Sequence, residues 1–190
     1  MLLCAVANVY ALDEKVTIEG AFYGSGTTWT DVTESTIQTV LASEGNMVFN
    51  IRDAIKDDSL FSTRSSLIVL LKFREKCLVF YSPKEPFSIV VTPEKLVSEY
   101  DALSELTSLK GGSVEVYAAI YGAGSEWRSA TKQMAKYFTG GRLTAEVDHN
   151  EYGFAPGGDR ALVVFYKKFG EKAVQVKAAL ERDGKKLTLQ

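Results

Sequence analysis

Histidine, cysteine and proline are all scarce in this chain of 190 residues. It contains one histidine, His149, two cysteines, Cys4 and Cys77, and four prolines. Two cysteines do not form a disulfide framework, and their spacing matches no zinc site. One histidine excludes a histidine-rich metal centre, and a serine–histidine catalytic pair would have to use His149. The composition therefore predicts no metal, no cofactor and no enzymatic activity.

The chain also lacks a dominant charge and a long apolar run. Its formal net charge is −2, and residues of both signs are mixed along the sequence. Non-specific nucleic-acid binding needs a concentrated basic surface, so a nucleic-acid partner is not predicted. No apolar run reaches the roughly 18 residues of a membrane-spanning helix, so no membrane span is predicted either.

The first eleven residues, Met1 to Ala11, are uncharged and mostly apolar. They end in Val9-x-Ala11, a small-residue pattern like a signal-peptidase site, but lack the basic start and longer apolar region of a normal signal. One interpretation is a clipped signal peptide, which predicts a secreted or extracellular protein. The other is a first β-strand, which leaves an intracellular location open.

The feature present twice is a segment built on tyrosine, glycine and tryptophan. Tyr23-Gly24-Ser25-Gly26-Thr27-Thr28-Trp29 returns 98 residues later as Tyr121-Gly122-Ala123-Gly124-Ser125-Glu126-Trp127, and Thr33 matches Thr131. A second block, Phe73-Arg74-Glu75-Lys76, returns 96 residues later as Phe169-Gly170-Glu171-Lys172. Such self-similarity indicates two related units. We expect Tyr23 to superpose on Tyr121, Trp29 on Trp127 and Phe73 on Phe169.

Short alternating segments predict a mainly β protein. In the first of them Val16, Ile18 and Phe22 fall on one face at a period of two. Turn residues recur between such segments along both halves, as they do in β-sandwiches and small barrels. Together with the repeat, this pattern predicts two tandem homologous β-sandwich units, at residues 12–91 and 113–190.

Residues 92–112 carry the pattern of an amphipathic helix that links the two units. Thr92 and Pro93 suit an N-cap and a first helical turn, and Gly111-Gly112 suits its end. One apolar stripe runs between them at spacings of three and four. It consists of Leu96, Tyr100, Leu103, Leu106 and Leu109. We expect this linker to pack against the units.

The second unit resembles a known domain type. It has an aliphatic strand that leads into Ala-x-Tyr-Gly, then a tryptophan, a threonine, a loop rich in glycine and proline, and a closing Leu-Thr-Leu. The matching residues are Ala119, Tyr121, Gly122, Trp127, Thr131, Pro156, Gly157, Val163, Phe165 and Leu187. This order is similar to the β-rich C-terminal domain of certain J-domain co-chaperones and its free-standing relatives. The resemblance implies an interaction module without catalytic residues, although the first unit lacks the proline–glycine loop.

The repeated Tyr-Gly-x-Gly-x-x-Trp segments are the candidate ligand-binding sites, through Tyr23, Trp29, Tyr121 and Trp127. Aromatic rings beside glycine turns are suited to stacking on a sugar or on an apolar side chain. The alternative, which we favour, is that each tryptophan lies in the core of its unit. The loop residues Asp148, Asn150, Glu151 and Asp159 carry the oxygens that calcium prefers. Their spacing matches no calcium loop, so a solvated loop is the preferred interpretation.

Two classes of function remain open. The leading one is a non-enzymatic structural or protein-interaction protein, whose repeated surface allows bivalent binding of a partner or self-assembly. The alternative is a carbohydrate-binding lectin that uses the tryptophan-bearing loops to hold a glycan.

Overall fold

The structure is a computed structural model. It describes residues 8–11, 14–42, 47–50, 55, 65–73, 76–82, 88–91, 109–124, 126–184 and 186–190. Residues 92–108, most of the predicted linker helix, lie outside this description. Within the described residues no helix combines the length and the apolar character that crossing a bilayer requires.

The described part of the chain is mainly β, as the alternating pattern predicts. The strands are β1 Asn8–Ala11, β2 Glu14–Ser25, β3 Thr28–Asp31, β4 Met47–Asn50, β5 Ser66–Phe73, β6 Lys76–Ser82, β7 Ser88–Val91, β8 Leu109–Gly111, β9 Val114–Ala123, β10 Glu126–Ser129, β11 Phe138–Thr139, β12 Arg142–Ala145, β13 Ala161–Lys168, β14 Gln175–Leu180 and β15 Leu187–Leu189. The helices are α1 Thr33–Ala42, α2 Thr131–Tyr137 and α3 His149–Tyr152, with a 3-10 turn at Glu181–Asp183.

Two five-stranded antiparallel sheets dominate the fold, one in each half. The first has the order β1-β2-β5-β6, and β3 also pairs with β2. The second has β10-β9-β13-β14, and β8 also pairs with β9. A three-stranded sheet, β11-β12-β15, and a two-stranded sheet, β4-β7, are the other sheets of the described residues.

In two segments the described residues form strands where the sequence pattern allows or predicts another structure. Asn8–Ala11 forms β1 and pairs with β2, so the described part of the N-terminal segment is a strand. Leu109–Gly111, assigned above to the end of the linker helix, is strand β8 and pairs with Val114–Val116 of β9. Gly112, at φ 56°, turns the chain between those two strands, so Gly111-Gly112 belongs to a hairpin and not to a helix end.

Two clusters of the hydrophobic core lie among the described residues. One cluster lies within the second half, between one face of the β9–β13 sheet and the layer formed by α2, β12 and β15. The other lies between the two five-stranded sheets, where Phe22, Ile68 and Leu70 of the first half join Ile120, Trp127 and Phe165 of the second. Because this second cluster draws on both halves, each sheet is covered on one face by the other half.

The two halves have the same strand register around a shared irregularity. In the first ladder, Ile18 pairs with Leu71 and Gly20 with Leu70, which leaves Glu19 as the extra residue of a β-bulge. In the second ladder, Val116 pairs with Tyr166 and Ala118 with Phe165, which leaves Tyr117 in the same position. Glu19 and Tyr117 are again 98 residues apart.

The same ladders correct one expected superposition. Val16 pairs with Phe73, and Val114, 98 residues further on, pairs with Lys168. Lys168 therefore occupies the position of Phe73, whereas Phe169 is 91% exposed in the turn beyond β13. The expected match of Phe73 with Phe169 is therefore wrong by one residue. The repeated four-residue block begins on the last residue of β5 in the first half, whereas in the second half it begins just beyond the last residue of β13.

Each helix beside the large sheets begins with a threonine that is bonded to a strand edge. The Thr33 hydroxyl accepts from Ala21 N at 2.9 Å, and the Thr131 hydroxyl accepts from Ala119 N at 3.0 Å and donates to Ala119 O at 3.1 Å. These bonds satisfy strand groups that the neighbouring hairpin strands leave unpaired. They explain why threonine recurs at 33 and 131.

A partly buried ion pair joins the two halves at the bulges. Lys167 Nζ of β13 lies 3.0 Å from Glu19 Oε2 of β2, and their side chains are 19% and 16% exposed. The ammonium also lies 4.9 Å from the ring centroid of Tyr117, the other bulge residue. Burial disfavours the charged lysine, but its bond to Glu19 and the neighbouring charges outweigh that effect and raise the pKa of Lys167.

Gly24 and Gly122 lie where the second strand of each hairpin approaches the first so closely that a side chain would not fit. An added Cβ at Gly122 would lie 2.8 Å from Trp127 Cα and 2.9 Å from Trp127 Cε3, and one at Gly24 would lie 2.8 Å from Trp29 Cα. Gly122→Ala should therefore lower the free energy of unfolding by about 1–3 kcal/mol or more, as overpacking does. Urea denaturation of the purified variant measures the change.

Gly157→Ala is the matched control, because the position of its added methyl group has no atom within 4 Å. We expect this variant to unfold at nearly the wild-type urea concentration. Equal midpoints for the two variants would contradict the close packing at Gly122.

Candidate functional site

The repeated glycine segments are two β-hairpin turns. Ser25 pairs with Thr28 in the first, and Ala123 pairs with Glu126 in the second, so each turn has two residues between its strands. Gly26 and Gly124 begin these turns at φ 54° and 56°, in the left-handed region that favours glycine. The spacing of the repeat is thus the spacing of a tight hairpin.

The indole N–H of each tryptophan donates a hydrogen bond to the turn of its own hairpin. Trp29 Nε1 donates to Gly26 O and Trp127 Nε1 donates to Gly124 O, both at 2.9 Å. The two rings then meet between the sheets, with centroids 5.6 Å apart and planes at 67°. This edge-to-face geometry is a favourable one for aromatic pairs. The repeated segment therefore has a structural use at the junction of the two halves.

Three of the four candidate ligand-binding side chains lie in the core. Tyr23, Tyr121 and Trp127 are 3%, 0% and 2% exposed, and Trp29 is partly buried against the shared cluster. A ring at this level of burial has no face to stack on a sugar. The burial alternative thus describes these three side chains, and stacking of a ligand on them is not supported by their positions.

Glu181 organises a polar cluster beside the second hairpin. Its carboxylate accepts from the Tyr121 hydroxyl at 2.6 Å and from Arg160 Nε at 2.5 Å, and it lies 2.7 Å from His149 Nδ1. Burial alone raises the pKa of Glu181, but the hydrogen bonds from Tyr121, His149 and Arg160 outweigh burial and lower the pKa to about 2. Burial together with the bond to Glu181 raises the pKa of Tyr121.

The ligand atoms of Asp148, His149 and Glu181 all lie within 4.8 Å of one another. This donor set is chemically suited to a divalent transition metal. However, the guanidinium of Arg160 contacts the same carboxylate, and its charge opposes a cation there. The local geometry therefore favours an internal hydrogen-bond cluster over a metal centre.

The residues considered for calcium have separate partners. Asp148 Oδ1 caps α3 by accepting from Asn150 N, and Glu151 accepts from the Tyr137 hydroxyl. Asp159 accepts two bonds from Arg182 Nη1, each of 2.9 Å. Each of these three carboxylates is thus already an acceptor for a group of the chain itself.

A cleft of about 650 Å³ opens where the two hairpin turns lie side by side. We call it the hairpin cleft. Its walls are residues 25–27 of the first hairpin, 123–124 and Glu126 of the second, the loop 157–159, and Leu180 with Arg182. Both copies of the repeated segment thus contribute to one cavity, and the tryptophan rings lie below it and not in its lining.

The Glu181 cluster supports one wall of this cleft. Glu181 and Arg160 are bonded by their side chains and also by Glu181 N to Arg160 O at 2.9 Å. Their chain neighbours, Arg182 and Asp159, form the bidentate pair on the cleft wall. This partly buried cluster therefore fixes the two segments from which the exposed pair projects.

Comparison with known proteins finds no matching family model, no matching curated protein and no matching solved structure. The assignment of a function accordingly depends on the geometry of the described residues.

The Glu181 cluster and the Asp159–Arg182 pair are not predicted by the sequence. Glu181 lies 32 residues from His149 and 21 from Arg160. Nothing in these spacings indicates contact, and the charged residues after β14 look like an ordinary exposed turn. The repeat, by contrast, marks the two glycine turns, and the segment around Gly157 is rich in glycine and proline, as expected of a loop.

The buried tryptophan pair predicts unequal effects of substitution. Trp127→Ala should lower the free energy of unfolding by about 3–5 kcal/mol, as a core truncation does. Trp29→Ala should cost less, because Trp29 is only partly buried. Chemical denaturation of both variants checks the order of the two losses.

Iodide quenching provides an independent measurement of the burial. In folded Trp29→Phe the only tryptophan is Trp127, whose fluorescence iodide should barely reach. Ready quenching of that variant would overturn the burial of Trp127 and favour a surface role for its ring.

The Glu181 carboxylate predicts a specific dependence of stability on pH. Its folded pKa of about 2 lies below its usual value of 4.5, so the ionised form contributes stability that is present above pH 4.5 and lost as the pH falls toward 2. Glu181→Gln lacks this contribution, so its stability should fall less across that interval. Urea midpoints measured through the interval test this.

Glu171→Gln, which removes an exposed carboxylate at the far end of β13, serves as the control for the same measurement. It should follow the wild-type curve. A Glu181→Gln curve parallel to wild type would show that the cluster does not couple to folding.

Proposed function

We propose that this chain is a non-enzymatic protein-interaction module made of two copies of one β-unit, and that it holds a polypeptide segment of its partner in the hairpin cleft. The observation that carries the proposal is the convergence of both Tyr-Gly-x-Gly-x-x-Trp turns on that single cavity. A cleft at the junction of two related units is a common position for a binding site.

The repeated geometry supports the duplication. Both halves have the same order of hairpin, helix-opening threonine and paired central strands, with matching hydrogen bonds at residues 98 apart. The bulges at Glu19 and Tyr117 fall at the same distance. Independent strands would have no reason to share a bulge and a side-chain cap at one offset.

The state of the ionisable groups supports binding over catalysis. Catalytic acids and bases are expected to face a cleft with perturbed pKa values. Here the most perturbed carboxylate, Glu181, is held by Tyr121, His149 and Arg160. The charged pair on the cleft wall, Asp159 and Arg182, is engaged with itself.

The lining of the cleft supports a polypeptide over a glycan. Sugar sites commonly offer an aromatic face, and the described lining residues of the cleft include no aromatic side chain. They include instead the hydroxyls of Ser25 and Thr27 and the backbone of several glycines, which allow another main chain to approach closely. The resemblance of the second unit to the C-terminal domain of J-domain co-chaperones favours the same class of function.

A peptide selection with a blocked cleft tests the proposal. Random heptapeptides displayed on phage are selected on the full-length protein, on Gly157→Tyr and on Ala135→Tyr. Gly157 lies in the cleft wall with open space around it, so tyrosine fills the cleft without strain. Ala135 is exposed on α2 and is the matched control.

We expect peptides to be enriched on the wild type and on Ala135→Tyr, and to bind Gly157→Tyr at least about tenfold more weakly by fluorescence anisotropy. A glycan array run in parallel covers the alternative. Glycan binding that is lost in Gly157→Tyr would replace the proposal with the lectin function. Peptides that bind all three proteins equally, or no enriched peptides, would overturn the cleft as the site.

A further inference from the structure

The hairpin cleft has one side chain whose charge is uncompensated. Glu126 is exposed at the start of β10 and lines the cleft, and no described residue forms an ion pair with it. The other two charged lining residues, Asp159 and Arg182, are joined by two bonds of 2.9 Å and neutralise each other. The described lining therefore has a net charge of −1, located at Glu126.

This charge occurs in one hairpin only. Glu126 pairs with Ala123 next to the second turn, and the corresponding position of the first hairpin, paired with Ser25, is Thr28. The two turns are otherwise alike in length and in the left-handed glycine that begins them. A segment laid across both turns thus meets a carboxylate at the second hairpin and the uncharged residues Ser25 and Thr27 at the first.

We infer that the segment bound in the hairpin cleft is basic, and that one of its lysine or arginine side chains pairs with Glu126. The inference rests on the proposed function, since it names the chemistry of the partner at the same site. The glycine turns allow the main chain of the segment to lie close, and the carboxylate selects the residue type at one position.

The asymmetry of the charge also fixes the direction of the segment. The loop 157–159, Leu180 and Arg182 all belong to the second half, so the two orientations of an extended chain across the cleft are not equivalent. The Glu126 carboxylate favours the orientation that brings the basic side chain to the second hairpin. Pairing at a partly exposed site is modest in energy, so its effect is on selectivity more than on total affinity.

A charge-exchange selection tests this inference. The heptapeptide library is selected in parallel on the wild type, on Glu126→Gln and on Glu126→Lys. Wild type should enrich peptides with lysine or arginine at one fixed position. Glu126→Gln should lose that preference, and Glu126→Lys should replace it with aspartate or glutamate.

Two further variants sharpen the result. Thr27→Glu, which places a carboxylate on the first hairpin where that hairpin lines the cleft, should select a second basic residue. Glu171→Gln removes an exposed carboxylate from the turn beyond Lys168, at the end of β13 opposite the cleft, and should leave the preference unchanged. A peptide enriched on the wild type should lose about twofold to fivefold in affinity on Glu126→Gln.

The outcomes separate the two proposals. Cleft-dependent peptides without a charge preference, or with one that survives in Glu126→Gln, overturn the inference and leave the proposed function standing. Absence of cleft-dependent peptides overturns the proposed function itself. A preference that follows the charge at position 126 supports both.

Discussion

The contact between Trp29 and Trp127 is the interaction on which the other features of the fold depend. It forms only because each hairpin has a glycine, at 24 or 122, where the second strand crosses close to the first. The indole N–H of each ring is used within its own hairpin, so the aromatic surfaces are free to pack between the sheets. With the two rings in contact, the two turns lie next to each other, and both turns line the hairpin cleft.

The charged side chains described above differ in how far they are buried. The Lys167–Glu19 pair lies between the halves, and the Glu181 cluster lies behind the cleft wall, where bonds to neutral and charged donors offset the loss of hydration. The Asp159–Arg182 pair and Glu126 are more exposed. The partly buried groups thus act on the fold, and the exposed ones are in a position to meet a partner.

Local patterns in the sequence predict the elements well and their assembly poorly. Alternation predicts strands in both halves, and the recurrence of Tyr23, Trp29 and Thr33 marks equivalent positions, but it does not predict that Thr33 and Thr131 begin α1 and α2. The face-to-face packing of the sheets is not encoded in any local period, because Phe22 and Phe165 look like residues of two separate cores. For the same reason Glu181, whose partners are distant in the chain, is invisible to an analysis of spacing.

Because of the bulges at Glu19 and Tyr117, strands β2 and β9 are more sensitive to a change in length than to a change of side chain at the bulge. Before the bulge, Val114 and Val116 face the core of the second half, and after it Ala119 and Tyr121 do, so the extra residue shifts the alternation by one. Deleting that residue would exchange the two faces of one end of the strand, whereas the bulge itself holds side chains as different as glutamate and tyrosine. Insertions and deletions should therefore be tolerated far less in these two strands than substitutions at their most irregular positions.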